Sequence, residues 1–260
     1  MSTTSTHTTN TMNIAEIFGP VLQGEGATSG FPAFFIRLSG CNLMCGGHNG
    51  ELVRTKAASW WCDTEPLWRQ GATWTIEQVI ALMKERGEWE RILKGTTHVV
   101  FTGGEPTLQS NLQAIAAYCD HVSSNYQQST PYYEIETNGT RYTEGFFNHY
   151  IDQINCSPKL KNSGLPKGMR IVKKALQEIA QHKNAWFKFV ISDLDDWEEI
   201  ARDFLPLLDN RRDRIILMPA GSDIEELEVT SKVVWNLAIR ENLRACNRLQ
   251  IITWRKRVGV

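Results

Sequence analysis

The sequence predicts an α/β protein built as an open, partial β/α barrel. Three observations predict it. Short β-branched or aromatic runs alternate with helical patterns, which gives a parallel sheet with helices outside. About six or seven such units are present, too few for a closed eight-fold barrel. The least ordinary residues follow the runs directly: Thr102-Gly103-Gly104-Glu105-Pro106, Glu136-Thr137-Asn138-Gly139, Ser157-Pro158-Lys159 and Met218-Pro219-Ala220-Gly221. That is the rim on which β/α barrels build active sites.

Taken in order, the strand-like runs are Ala33–Leu38, His98–Phe101, Tyr132–Ile135, Ile151–Asn155, Trp186–Ile191, Arg214–Leu217 and Leu249–Thr253. Thr75-Ile76-Glu77-Gln78 reads as a capping box, with Ile76, Val79, Ile80 and Met83 on one helical face and Gly87 as the stop. Leu112, Ile115 and Cys119 make a second such face, and Ile200, Phe204 and Leu207-Leu208 a third. Residues 223–244 form a long helical pattern without Pro or Gly.

At 260 residues, with 42% hydrophobic and 22% charged residues, the chain has the composition of a soluble globular protein. A net charge of -1 argues against a nucleic-acid surface, and the one dense basic run, Arg255-Lys256-Arg257, reads as a solvated end. No apolar run reaches the length of a bilayer span. Residues 1–12 are Ser/Thr-rich without Lys or Arg and are expected to be a disordered tail before one domain over 13–260. Six cysteines without an export signal are expected to be reduced thiols in a cytoplasmic protein.

Chemistry concentrates between Gly40 and Thr64, where Cys41, Cys45 and Cys62 lie on one loop. Three thiolates are one short of a closed tetrahedral site, so a four-iron cube held by them keeps one iron open. Sixteen residues separate Cys45 from Cys62. A flexible loop eight times longer than a two-residue spacer costs roughly 1.8 kcal/mol more to close, small against metal–thiolate bonding. Trp60, Trp61 and Lys56-Ala57-Ala58 supply material for a local fold of this insert. The bland alternative is a zinc-stabilised binding module with His48 as fourth ligand. Cys119 and Cys246 read as core residues, and Cys156 as a buried strand end.

With Gly103-Gly104-Glu105-Pro106 downstream, this loop resembles that of the radical S-adenosylmethionine (SAM) superfamily. Leu22-Gln23-Gly24-Glu25-Gly26 upstream and Cys62-Asp63-Thr64 at the loop's end narrow the resemblance to the 7-carboxy-7-deazaguanine synthase family. The match covers roughly residues 13–64 and 98–160, and the cluster loop departs from the superfamily's C-x3-C-x2-C by its long insert. The resemblance implies conversion of 6-carboxytetrahydropterin to 7-carboxy-7-deazaguanine with loss of ammonia, in 7-deazapurine or queuosine-type biosynthesis. It implies a [4Fe-4S] cluster on Cys41, Cys45 and Cys62, SAM against Trp61, Cys62, Asp63, Gly104, Ser157, Pro158 and Lys159, and Mg²⁺ on Thr64. Leu22, Gln23, Gly24, Arg37 and Thr102 are implied as substrate contacts. Partners implied are an electron donor such as flavodoxin or ferredoxin and a second copy in a homodimer. A glycyl-radical activating enzyme is the rival within the superfamily.

Several of these residues have structural alternatives. An arginine in a strand of apolar neighbours needs a partner. For Arg37 that partner is either the substrate's carboxylate or an internal carboxylate such as Glu25 or Asp63. Asp63-Thr64 would serve equally as a cap for the next helix. Lys188, alone in an apolar strand, and Glu136-Thr137-Asn138-Gly139, at the place of a ribose contact, are further candidates.

Overall fold

The structure, a computed structural model, describes residues 11–109, 111–124, 130–255, 257 and 259. The expected tail lies outside the described residues over 1–10, as does Lys256 of the basic run. Among the described residues nine strands form one sheet: β1 (Thr11–Leu22), β2 (Pro32–Leu38), β3 (Ala72–Thr75), β4 (His98–Gly103), β5 (Tyr133–Thr137), β6 (Gln153–Cys156), β7 (Ala185–Ile191), β8 (Ile215–Pro219) and β9 (Arg244–Ala245). Their order is β3-β1-β2-β4-β5-β6-β7-β8-β9. From β2 to β9 every pairing is parallel, and β1 runs antiparallel to both β2 and β3. The sheet stays open, with β3 and β9 as its edges, and its fold is the α/β class expected.

Period-two alternation sorts the strand residues onto two faces. Phe34, Ile36, Val99, Phe101, Ile135, Ile154, Phe187, Phe189 and Leu217 pack under the helices in the main core. The intervening positions, among them Phe35, Arg37, Thr102, Glu136, Asn155, Lys188 and Met218, line a cavity on the other face. The helix Ile76–Glu85 carries the expected capping box: Thr75 Oγ1 accepts from the Gln78 N–H at 3.3 Å and Gln78 Oε1 from the Thr75 N–H at 2.8 Å. Leu112–Ser124 and Ile224–Glu241 are helices as the periodicity predicts, the latter capped by Asp223. Ile200, Phe204 and Leu208 are buried along a run of α, π and 3-10 turns.

Two expectations need correction. The segment Leu249–Thr253 is not a strand; Leu249–Trp254 is a helix, and the last strand is the two-residue β9 before it. The Leu249 N–H bonds the Gly24 carbonyl at 3.1 Å and Ile251 is buried, while Ile252 and Trp254 face outward. The contact with the Gly24 loop outweighs the weak strand preference of β-branched residues. At the other end, the domain begins before residue 13, because Thr11 and Met12 pair with Thr75 and Trp74 and Met12 is 1% exposed.

This boundary is testable. Met12→Ala is expected to lower stability by about 2–5 kcal/mol, the cost of a cavity at a closed core site. A tail residue would cost nothing, and urea unfolding of the apoprotein measures the difference.

Candidate active site

At the C-terminal ends of the parallel strands lies a cavity of about 1010 Å³. That is the upper end for ligand pockets and leaves room for a cofactor beside a substrate. Leu22, Gln23, Gly24, Arg37, Cys41, Cys45, Trp61, Cys62, Asp63, Thr64, Thr102, Gly104, Ser157 and Lys159 all line it. Of the residues implied as cluster, SAM, Mg²⁺ or substrate contacts only the buried Pro158 does not; Gly139 of the ribose candidate and His48 of the zinc alternative also lie outside the lining.

Cys41, Cys45 and Cys62 pack together around Leu43 and Leu165, and all three are free thiols. The Cys62 N–H bonds the Cys45 carbonyl at 3.1 Å, which brings the two ends of the insert together. Burial pushes the Cys41 thiol up to about 11 and the Cys45 thiol up to about 12, so a metal binding there displaces protons. Cys119 and Cys156 are core residues as expected, whereas Cys246 is only half-buried. A thiol-only donor set open to a cavity fits an iron–sulfur cluster with one free iron better than a zinc site. His48 is turned away from the thiols, its Nδ1 2.8 Å from Glu65 Oε1, and among the described residues no three His, Cys, Asp or Glu are grouped to hold a single ion.

The insert has the local fold anticipated. His48–Gly50 and Glu51–Arg54 are single helical turns, and the Ala57 and Ala58 N–H groups both bond the Leu52 carbonyl. Trp60 Nε1 donates to Asn162 Oδ1 at 2.9 Å, and the Ser59 N–H to the Asn162 carbonyl at 2.8 Å. The wholly buried Glu65 accepts from the Asn49 N–H at 3.1 Å and Arg69 Nε at 2.7 Å, pinning the insert to the helix Glu65–Trp68. Thr64 occupies the N-cap position of that helix without a capping bond; its Oγ1 lies 3.3 Å from Cys62 Sγ. Capping does not account for Thr64.

Gly103 and Gly104 answer to protein as well as to ligand. A Cβ on Gly103 would collide with the Leu38 backbone, and one on Gly104 with the Gly40 carbonyl and Cys41. Glu105, fully buried, accepts from the Thr107 hydroxyl (2.6 Å), the Thr137 hydroxyl (2.8 Å) and the Asn138 N–H (2.7 Å). Asn138 Nδ2 in turn donates to Asn42 Oδ1 at 3.0 Å. Glu136 points its carboxylate into the cavity, where it accepts from Thr102 Oγ1 at 2.6 Å and Gln23 Nε2 at 3.2 Å.

Arg37 has an internal partner, but neither of those expected. Its Nε donates to Glu16 at 3.1 Å across the β1–β2 pair, and its guanidinium lies 5.2 Å from the Phe18 ring centre. Among the described residues its terminal nitrogens make no hydrogen bond. Glu25 is bonded to Lys188 at 2.5 Å, Arg248 at 2.9 Å and Gln250 at 2.6 Å, and Asp63 to Arg248 at 2.8 Å. Burial alone would raise the Glu25 carboxyl; the charges of Lys188 and Arg248 outweigh it and hold the group well below the usual carboxylate range. Burial likewise opposes the charge on Lys188, and Glu25 and Glu136 overcome it. Sequence reasoning singled out the motif of Glu105 without giving that residue a role, and missed Asn155, Arg248 and Gln250; a polar residue at an inward strand position is the signal that marks Asn155.

Glu105→Gln tests the rim. It places amide hydrogens against donors, and is expected to cost about 2–3 kcal/mol of stability in the metal-free protein. A thermal midpoint equal to wild type would show that the carboxylate is dispensable.

No family model matches the chain. Curated relatives do. The 7-carboxy-7-deazaguanine synthase of Pyrobaculum aerophilum is 32% identical over 248 residues, 94% of this chain and 95% of the relative. That of Halobacterium salinarum is 30% identical over 259 residues, 90% of this chain and 87% of the relative. Among solved structures, the crystal structure of QueE from Escherichia coli shares the fold with a TM-score of 0.63 at 24% identity, covering 92% of this chain and 94% of that one. Identity of this extent over nearly the full length of both sequences leads to one conclusion: the chain belongs to the 7-carboxy-7-deazaguanine synthase family.

Proposed function

We propose that the protein is a radical SAM lyase converting 6-carboxy-5,6,7,8-tetrahydropterin to 7-carboxy-7-deazaguanine with loss of ammonia. The reading is carried by one observation: the three thiols of the cluster loop, the Leu22-Gln23-Gly24 loop, Arg37 and Thr102 face a single cavity. The names of the relatives support it and favour neither a glycyl-radical activating enzyme nor a zinc module.

Cys41, Cys45 and Cys62 would hold a [4Fe-4S] cluster. Trp61, Asp63, Gly104, Ser157 and Lys159 would bind SAM, with the backbone of Cys62 and Pro158 shaping that wall. Thr64 would bind Mg²⁺, an ion that takes few protein ligands and completes its shell from substrate and water. When bound, cluster and SAM supply a carbon radical for hydrogen abstraction from the pterin. The protein's own task is to place one C–H bond against that carbon and to shield it from other hydrogen donors. Gln23, Gly24 and Thr102 border the pterin in this arrangement, and Arg37 offers its free terminal nitrogens to the carboxylate as a planar fork. A flavodoxin or ferredoxin as electron donor, a homodimer and a cytoplasmic location complete the proposal, with the product entering queuosine-type or other 7-deazapurine synthesis.

Two experiments test it. Replacement of Cys41, Cys45 or Cys62 by Ala is expected to abolish SAM cleavage and most bound iron after anaerobic reconstitution, while Cys119→Ala and Cys156→Ala keep wild-type iron. Wild-type iron in Cys62→Ala would overturn the ligand set. Arg37→Lys retains charge but loses the fork, and is expected to cost about 2–5 kcal/mol of substrate binding, read as a raised KM at unchanged iron content. Should the variant instead melt early with a normal KM, and Glu16→Gln do the same, the Arg37–Glu16 pair is structural only.

A further inference from the structure

Among the described residues three buried side-chain polar atoms have no hydrogen-bond partner: Trp68 Nε1, Ser192 Oγ and Gln250 Oε1. All three residues line the one cavity. Trp68 is the most demanding of them, because it is 6% exposed and an indole N–H can only donate. A buried donor without an acceptor is costly.

The ring has been placed by everything except its own nitrogen. Trp68 ends the short helix Glu65–Trp68, which Glu65 pins to the insert. Its carbonyl accepts the Gly40 N–H at 2.9 Å, which fixes it to the start of the cluster loop. The Arg69 guanidinium lies 5.7 Å from its ring centre and covers a face rather than the N–H edge. Thr64 stands four residues earlier, its carbonyl accepting the Trp68 backbone N–H at 3.1 Å, and both residues line the cavity.

We propose that the Trp68 indole N–H is a ligand-binding donor that receives a carboxylate oxygen beside Thr64. The proposal rests on the function given above, which supplies two carboxylates: that of the pterin and that of the methionyl end of SAM. The neighbouring Arg37 and Thr64 favour the pterin's, and the measurement separates the two.

Trp68→Phe removes the donor and keeps a six-membered aromatic ring in its place. On reconstituted protein, the rise in thermal midpoint caused by each ligand alone gives its affinity, and steady-state turnover gives both KM values. The expected result is a loss of about tenfold or more in affinity for the pterin, with SAM binding as in wild type, in the range for a hydrogen bond to a charged group. Loss confined to SAM would keep the donor role and assign it to the other carboxylate. Unchanged affinity for both ligands overturns the proposal. If the phenylalanine variant melts early, the benzothienyl analogue of tryptophan at position 68 retains the shape without the N–H and repeats the comparison. Wild-type protein that neither binds nor turns over the pterin would sink the proposed function instead, while the SAM arm would still report on Trp68.

Discussion

A carboxylate removed from water has to find its donors in protein, and Glu105 is the place where that requirement organises the rim. It is wholly buried, and its oxygens are satisfied by Thr107 on its own turn and by Thr137 and Asn138 at the end of β5. Its N–H bonds the Gly40 carbonyl at 2.9 Å. The turn after β4, the turn after β5 and the first residues of the cluster loop are therefore one body. Asn42, bonded to Asn138 and to Thr140, extends that body into the loop itself. The two glycines before Glu105 follow from the same packing: backbone lies so close against β2 and Gly40 that neither position has room for a side chain. The motif thus serves the protein's own assembly before it serves any ligand.

How much of this was legible depends on how local the signal is. Six of the strands are marked by β-branched runs in the sequence, and their observed limits differ from the marked ones by no more than two residues. The two edge strands and β1 beside one of them are a different matter. In β1, Gly19-Pro20 interrupts the apolar pattern, β3 is four residues long, and β9 has only two. Such strands exist because a neighbour offers a ladder, not because their residues insist on extension. The last helix carries the opposite lesson. Leu249 to Trp254 has strand-like composition, yet it is helical where its N–H groups meet the Gly24 loop.

The site was legible in its motifs and illegible in its pairings. Cys41, Cys45 and Cys62 stand out because no ordinary surface loop carries three thiols, and they do converge. The partner of Arg37 could not be read, because Glu16 lies on a strand that local composition does not announce. Glu25 and Asp63, the acids close to it in the motif, are taken by Arg248 from the far end of the chain. That pairing spans 223 and 185 residues of sequence, and no local pattern encodes it. The inner face of the sheet was recoverable in principle: Glu134, Gln153 and Asn155 sit at alternate positions with apolar neighbours between, and they bond one another beneath the cavity.

These pairings also decide what kind of ligand the cavity accepts. Buried charge is tolerable only when matched, and Glu25, Lys188, Arg248 and Asp63 match each other within the wall. They give the site its shape and contribute little net field to it. What remains unspent among the described residues is mostly donor capacity: the terminal nitrogens of Arg37, the indole N–H of Trp68, and Lys159, whose ammonium bonds only the Ser157 hydroxyl and lies 5.8 Å from the centre of the Trp60 ring. Donors held in a partly enclosed site without acceptors select for oxygen-rich, anionic groups, because such a ligand recovers interactions that water at the mouth supplies incompletely. The matched charges therefore set the geometry of the cavity, and the unmatched donors, with the Glu136 carboxylate held by Thr102 and Gln23, set the pattern of charge that a ligand has to complement.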